Sequence, residues 1–151
     1  EKSTQVVRDL IVSGQAKDLA CFSEGCMIQG NAVIQAQDID KASTNGVNLT
    51  GMGAAITGDN VPSGITANYS YNQNDAFAKG APLLTTIPAS FILTPGATTV
   101  YGAYQYYNRY NAIESNGYGL TTNGNPGVTN PLQAHSVPAY ADFFANRYRN
   151  K

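Results

Sequence analysis

The chain has little charge, and this shortage argues against one large class of partners. Only 13% of its 151 residues are charged, and the formal net charge is −1, whereas ordinary soluble domains carry about 25% charged residues. No Lys or Arg lies between Lys41 and Lys79, or between Arg109 and Arg147. Proteins that bind nucleic acid cluster these residues against phosphates. We therefore predict that nucleic acid is not a partner.

Long apolar runs are also missing. No stretch approaches the roughly 20 apolar residues needed to span a bilayer, so we expect no membrane span within this chain. The chain begins at Glu1 rather than Met, which is consistent with removal of a signal peptide or an anchor. Its length is that of one domain, and no linker, repeat or low-complexity tract divides it, so we expect a single domain over 1–151.

Uncharged polar residues must supply the surface that charge does not. The sequence is rich in Asn, Thr, Ser, Gln and Gly, and it has 10 Tyr but no Trp. Such a composition is typical of exported bacterial proteins, fibre subunits and virion proteins. It therefore predicts an extracellular, cell-surface or virion location.

The two cysteines, Cys21 and Cys26, lie in the segment CFSEGC. Gly25 lets the chain turn between them, so that the two thiols can reach each other. A C-x-x-C redox motif has a shorter spacing, and the single histidine, His135, is far away for a zinc site. We predict a disulfide, which indicates an oxidising compartment; the alternative is two buried, reduced thiols.

Hydrophobic periodicity predicts an α+β fold. An apolar stripe at three- and four-residue steps favours an amphipathic helix over 3–20. Short apolar segments between turns favour strands within 27–71, and capping signals favour helices over 94–116 and 139–149, separated by a long surface loop over 117–138. We expect a small, mostly antiparallel sheet between an N-terminal helix and helical segments toward the C-terminus. The alternative is a mainly β fold with a terminal helix.

Tyrosines crowd the segment VYGAYQYYNRY. On one face they could stack on a ligand or anchor a protein interface; alternatively, they belong to a core helix and only their hydroxyls reach the surface. The interface or ligand candidates are Tyr101, Tyr104, Tyr107 and Tyr110.

Two sequons offer sites for glycosylation. Asn48-Leu49-Thr50 and Asn68-Tyr69-Ser70 both satisfy the acceptor rule, and both fall in segments that we expect to be exposed. Such matches also arise by chance in a chain that is rich in Asn and Thr.

Candidate catalytic and metal-binding residues are few. Glu114, in AIESNGYG, resembles the catalytic glutamate of lytic transglycosylases, which acts as a general acid, but the Gly-Leu-Met-Gln-type segment of that family is absent. His135 has no G-x-S-x-G motif and no evident partner. Asp38 and Asp40 begin a calcium-loop pattern that fails at Ala42. We therefore predict no catalytic residue, no metal and no cofactor.

These observations favour a structural role. We expect an extracytoplasmic assembly subunit, of a pilus-type filament, a virion or an envelope complex, that is not an enzyme and that self-associates through protein contacts. The first alternative is a secreted module that binds glycans or proteins. The second is a small cell-wall hydrolase, which would need Glu114 or His135 in a cleft.

Overall fold

A parallel sheet organises the part of the chain that the computed structural model describes, which comprises residues 1–72, 74–75, 108–121, 128 and 130–149. Within these residues the sheet has four strands in the order β1-β2-β3-β4, and every neighbouring pair is parallel. The strands are Asp18–Phe22 (β1), Asn48–Met52 (β2), Thr66–Ser70 (β3) and Gly119–Thr121 (β4). The expected mostly antiparallel sheet is therefore wrong, and the architecture is of the α/β type.

The first helix, α1, spans Lys2–Val12 and is shorter than the helix expected over 3–20. Gly14 adopts a φ of 78°, a left-handed conformation that ends helices. Leu19, which extends the apolar stripe in the sequence, belongs to β1 instead. The stripe thus mixes residues from a helix and a strand.

The second helix, α2, spans Gly25–Ile39 and lies where strands were expected. Its buried positions include Gly30, Ala32, Val33 and Ala36, so small residues let it approach its neighbours closely. A Cβ on Gly30 would overlap the carbonyl oxygen of Asn60. Because the buried residues are small and apolar residues also lie on other faces, this helix lacks the clean period that would have revealed it.

The core joins residues of α1, α2 and the first three strands. Ile11, Val33 and Leu49 are completely buried, and they belong to one cluster with Tyr69 and Ile113. Ile113 comes from residues 108–115, which are helical. The rest of the helix expected over 94–116 lies outside the described residues.

The C-terminal part returns to the sheet. After β4, the chain forms a short helix, Pro131–Ala134 (α3), a 3₁₀ turn, Val137–Tyr140, and the helix Ala141–Arg149 (α4). The predicted terminal helix agrees with α4, whereas the stretch expected to be a surface loop contains both β4 and α3. Within the described ranges, no helix combines the length and apolarity needed to cross a membrane.

Candidate functional site

The connection between β1 and α2 is a tight turn centred on Ser23. Ser23 has a φ of 53°, and no other non-glycine residue in the described ranges has a positive φ. Its amide donates to the carbonyl of Met52 over 3.1 Å, and its own carbonyl accepts from the amides of Cys26 and Ala55. Met52 at the end of β2, Ala55 beyond it and Cys26 in α2 therefore hold this conformation, which a residue with a side chain rarely adopts unaided.

A disulfide closes the same turn. Cys21 and Cys26 are bonded, as predicted, and their Cα atoms lie 4.9 Å apart. Cys21 is in β1 and Cys26 is in the first turn of α2, so the bridge ties the end of the strand to the beginning of the helix. Both cysteines are buried. The loop that they close contains Ser23.

The Ser23 side chain begins a chain of hydrogen bonds. Its Oγ lies 2.7 Å from Nε2 of His135, and Nδ1 of the same ring lies 2.8 Å from Oδ2 of Asp75. Asp75 follows β3 and is fully buried, whereas the side chain of His135 keeps 14% of its surface exposed. Side chains beyond the carboxyl ends of parallel strands lie at the same edge of a sheet. Ser23 follows β1 and Asp75 follows β3, with β2 between the two strands, and His135 links the two side chains.

The partners of His135 define its tautomer. A carboxylate can only accept a hydrogen bond, so Nδ1 must carry the proton that faces Asp75. Nε2 of the neutral ring then presents its lone pair to the hydroxyl of Ser23. His135 can therefore take the proton of Ser23 when the oxygen attacks an electrophile, and Asp75 stabilises the imidazolium that results.

Asp75 has a second hydrogen-bond donor, the phenol of Tyr140. The hydroxyl donates to Oδ2 of Asp75 over 2.6 Å and accepts from the amide of Asn72 over 3.0 Å. Tyr140 is buried, and this burial, with the hydrogen bond to Asp75, raises the pKa of the phenol above its ordinary value. The phenol therefore stays protonated and remains a donor across the physiological pH range.

Aromatic rings pack around the histidine. The ring of Phe22 lies 5.0 Å from that of His135 and 6.0 Å from that of Tyr140, measured between centroids. Phe22 directly precedes Ser23, so its ring connects the turn to the C-terminal segment. This packing restricts the orientation of the imidazole.

The amide of Glu24 directly follows Ser23. It precedes α2, and it donates no hydrogen bond to any residue in the described part of the chain. The amide after the reactive serine is one of the two donors that stabilise the oxyanion in hydrolases with this strand–turn–helix arrangement. The positive end of the α2 dipole adds to the same effect.

The tyrosine candidates have a different setting. Tyr101, Tyr104 and Tyr107 lie outside the described residues. Tyr110 is half-buried; its ring lies 4.7 Å from the guanidinium carbon of Arg109 and makes an edge contact with Tyr71. An interface or ligand role for these tyrosines stays a prediction.

The other candidates do not join the site. Asn48 and Asn68 are half-buried in β2 and β3, and not in the exposed segments in which we expected the sequons. Glu114 is exposed near the end of the helical segment. Of the residues weighed for catalysis, only His135 belongs to the hydrogen-bonded chain.

Sequence reasoning missed Ser23 and Asp75. Ser23 has a recognisable signal, since Cys21-Phe22-Ser23-Glu24-Gly25 is a G-x-S-x-G pattern with cysteine in the place of the first glycine. Such a serine between a strand and a helix is typical of a reactive nucleophile. Asp75 has no comparable local signal. No protein-family model, curated protein or solved structure matches the chain, so any functional inference must rest on the geometry of the site.

Proposed function

We propose that this protein is a serine hydrolase that cleaves carboxylic esters through an acyl-enzyme. The observation that carries the proposal is the continuous series of hydrogen bonds from Ser23 through His135 to Asp75, with distances of 2.7 and 2.8 Å. A Ser–His–Asp arrangement is recognised by its geometry and roles and not by sequence position. The serine has the base within reach, and the base has its orienting acid.

The placement of the three residues supports the same proposal. Ser23 occupies a strained turn between a parallel strand and a helix, and the residues follow one another in the order Ser, Asp, His. The strained turn is that of the nucleophile in α/β-hydrolases, and the order of the three residues is that of their triads. This likeness in the arrangement of residues supports the type of reaction, but it does not identify the substrate.

The reaction follows from the geometry. Oγ of Ser23 attacks the carbonyl carbon of the ester, and its proton passes to Nε2 of His135. The Glu24 amide donates to the oxyanion that forms. The tetrahedral species then expels the alcohol, which takes the proton from His135. Water then attacks the acyl-Ser23, and its proton passes to His135. The second tetrahedral species releases the carboxylic acid, and Oγ of Ser23 takes the proton back from His135.

The disulfide supports a proposal about the location. A bridge between Cys21 and Cys26 is consistent with an oxidising compartment, so we propose a secreted or cell-surface hydrolase. This proposal replaces the expectation of a protein that is not an enzyme. Self-association as an assembly subunit remains a prediction that the hydrogen-bonded site neither requires nor excludes.

A covalent probe tests the proposal directly. An alkyl fluorophosphonate should phosphonylate Oγ of Ser23, with loss of fluoride, and peptide mass spectrometry should locate the adduct. The variant Ser23→Ala should lose both labelling and hydrolysis of p-nitrophenyl butyrate. Ser13→Ala is the matched control, because Ser13 is exposed and its hydroxyl bonds only local atoms of the chain. Labelling at another serine, or an active Ser23→Ala, would refute the proposal.

A further inference from the structure

Two side chains of the C-terminal segment converge on one oxygen atom. Nδ1 of His135 lies 2.8 Å from Oδ2 of Asp75, and the Tyr140 hydroxyl lies 2.6 Å from the same Oδ2. His135 precedes the 3₁₀ turn Val137–Tyr140, and Tyr140 is the last residue of that turn. Asp75 therefore makes two hydrogen bonds with the C-terminal segment, one with His135 and one with Tyr140. Only the bond with His135 is part of the proposed Ser–His–Asp series.

The direction of each hydrogen bond at Tyr140 is fixed. The amide of Asn72 can only donate, so the phenol oxygen accepts from it over 3.0 Å. The phenol proton then points at the carboxylate of Asp75. Since Asn72 and Asp75 belong to the same loop after β3, the Tyr140 hydroxyl bridges two points of that loop and holds the carboxylate in place.

From this geometry we propose that Tyr140 is a positioning residue that orients Asp75 toward His135, an inference that rests on the proposed hydrolase function. Tyr140 does not reach the Ser23 oxygen. Its effect is to fix one carboxylate oxygen and to share that oxygen with the imidazole, so that the His135 ring keeps Nε2 directed at Ser23. Without the phenol, the carboxylate gains freedom to rotate away from Nδ1.

The surroundings of Tyr140 leave the ring little freedom. Phe22 packs against the ring at 60° between planes, and a Cβ on Gly53 would lie only 2.9 Å from the phenol oxygen. A residue at 53 without a side chain thus allows the hydroxyl to reach Asp75. The hydroxyl position is determined by packing on several sides, as positioning requires.

The test compares two Tyr→Phe variants. Tyr140→Phe removes the donor to Asp75, whereas Tyr148→Phe removes a hydroxyl that lies 3.4 Å from Oδ1 of Asp18 on the surface of α4. With p-nitrophenyl butyrate, Tyr140→Phe should lower kcat by about tenfold to about a hundredfold, the usual effect of a small misplacement of a reacting group. KM should stay within about twofold of the wild-type value, because the phenol does not bind the substrate. Tyr148→Phe should match the wild type in both constants.

A spectroscopic readout separates positioning from stability. The proton between Nδ1 of His135 and Asp75 should give a far-downfield ¹H resonance, and Tyr140→Phe should shift or broaden it, whereas Tyr148→Phe should leave it unchanged. If Tyr140→Phe does not fold, 3-fluorotyrosine at position 140 keeps the ring and strengthens the donor. This substitution should move the same resonance upfield, because Oδ2 then shares less charge with Nδ1.

The outcomes distinguish the two proposals. A wild-type protein that neither hydrolyses the ester nor reacts with the fluorophosphonate overturns the hydrolase function, and with it the role of Tyr140. If the wild-type protein is active but Tyr140→Phe leaves both kcat and the downfield resonance unchanged, the positioning role alone is overturned. If Tyr140→Phe does not fold, the same conclusion follows from 3-fluorotyrosine at position 140 leaving both quantities unchanged. A lower kcat with a displaced resonance and an unchanged KM supports it.

Discussion

The hydroxyl of Ser23 lies 2.7 Å from Nε2 of His135, although 112 positions separate the two residues in the sequence. The fold alone creates this contact. Ser23 comes from the turn between β1 and α2, while His135 comes from the segment after α3. A proton can pass directly between the two side chains at this distance, which is what the proposed hydrolase requires of them.

Substitutions of Ser23, His135 and Asp75 should reduce ester hydrolysis in a non-additive way, because the proposed reaction needs all three side chains together. Asp75→Asn should lower kcat by about 10³-fold to about 10⁴-fold, because the amide favours the wrong tautomer of His135. Ester hydrolysis by the double variant Ser23→Ala, His135→Gln should be no slower than by Ser23→Ala alone, since either change disables the unit. Asp59→Asn alters an exposed carboxylate and serves as the control. Independent, multiplicative losses would contradict this prediction.

Gly53 should tolerate no side chain. Its φ is 54°, and a Cβ there would lie 3.0 Å from Oδ2 of Asp75. Gly46 has a φ of 78° but open space around it, so Gly46→Ala should cost only the backbone strain, about 1 kcal/mol of the free energy of unfolding. Gly53→Ala should cost more in urea unfolding and should also abolish fluorophosphonate labelling. Equal losses in the two variants would show that the contact with Asp75 is unimportant.

The disulfide should support both stability and chemistry. Replacing Cys21 and Cys26 by Ala should lower the free energy of unfolding by about 2 kcal/mol, as expected for a short closed loop. It should also slow labelling of Ser23, because the bridge ties both ends of the turn in which Ser23 adopts its strained φ. Urea titration and timed labelling measure the two effects. A double variant that loses stability but labels at the wild-type rate would show that the turn holds without the bridge.

Alkaline solution should destabilise the fold through buried phenols. Burial is the main reason why the pKa values of Tyr69 and Tyr140 lie above the ordinary value. The neighbouring Tyr71 raises the pKa of Tyr69 further, and the hydrogen bond to Asp75 raises that of Tyr140 further. Above about pH 10 the unfolded chain ionises these phenols while the folded chain keeps them neutral, so the free energy of unfolding falls as the pH rises. Below that pH their contribution is fully present.

Urea midpoints at several alkaline pH values check this expectation. The decline should be shallower in Tyr69→Phe and in Tyr140→Phe than in the wild type, because each variant removes one group that ionises only on unfolding. A decline as steep in both variants as in the wild type would assign the alkaline transition to other residues.

Local features of the fold were predictable. Gly25 and the cysteine spacing indicated the disulfide, and Asn116-Gly117 indicated the end of a helix, where Gly117 indeed has a φ of 71°. The parallel sheet was not predictable in the same way. Buried parallel strands are usually continuous runs of Val, Ile and Leu, whereas β2 reads NLTGM and β3 reads TANYS. Their polar residues resemble those of turns and of exposed antiparallel strands.

The candidate site was only partly accessible from the sequence. Ser23 carried a signal in C-x-S-x-G, which a search for two glycines overlooks. The sequence does not reveal the partners of His135, because both lie far from it along the chain. Asp75 lies in a polar stretch beyond β3, and only the order of the strands brings it to the histidine. The identity of the carboxylate that pairs with His135 therefore depends on the topology of the sheet, which the sequence did not reveal.

The wide separation of Ser23 from His135 has a consequence for biosynthesis. The ring closed by Cys21 and Cys26 is local, with a separation of 5, so the serine turn can form while much of the chain is still unmade. His135 follows Ser23 by 112 positions, so the contact between the two side chains must wait until α3 has been made and the segment after it reaches Asp75. If the proposed hydrolase function holds, the nascent chain would thus carry no base beside Ser23, and the serine would become reactive only once His135 reaches it.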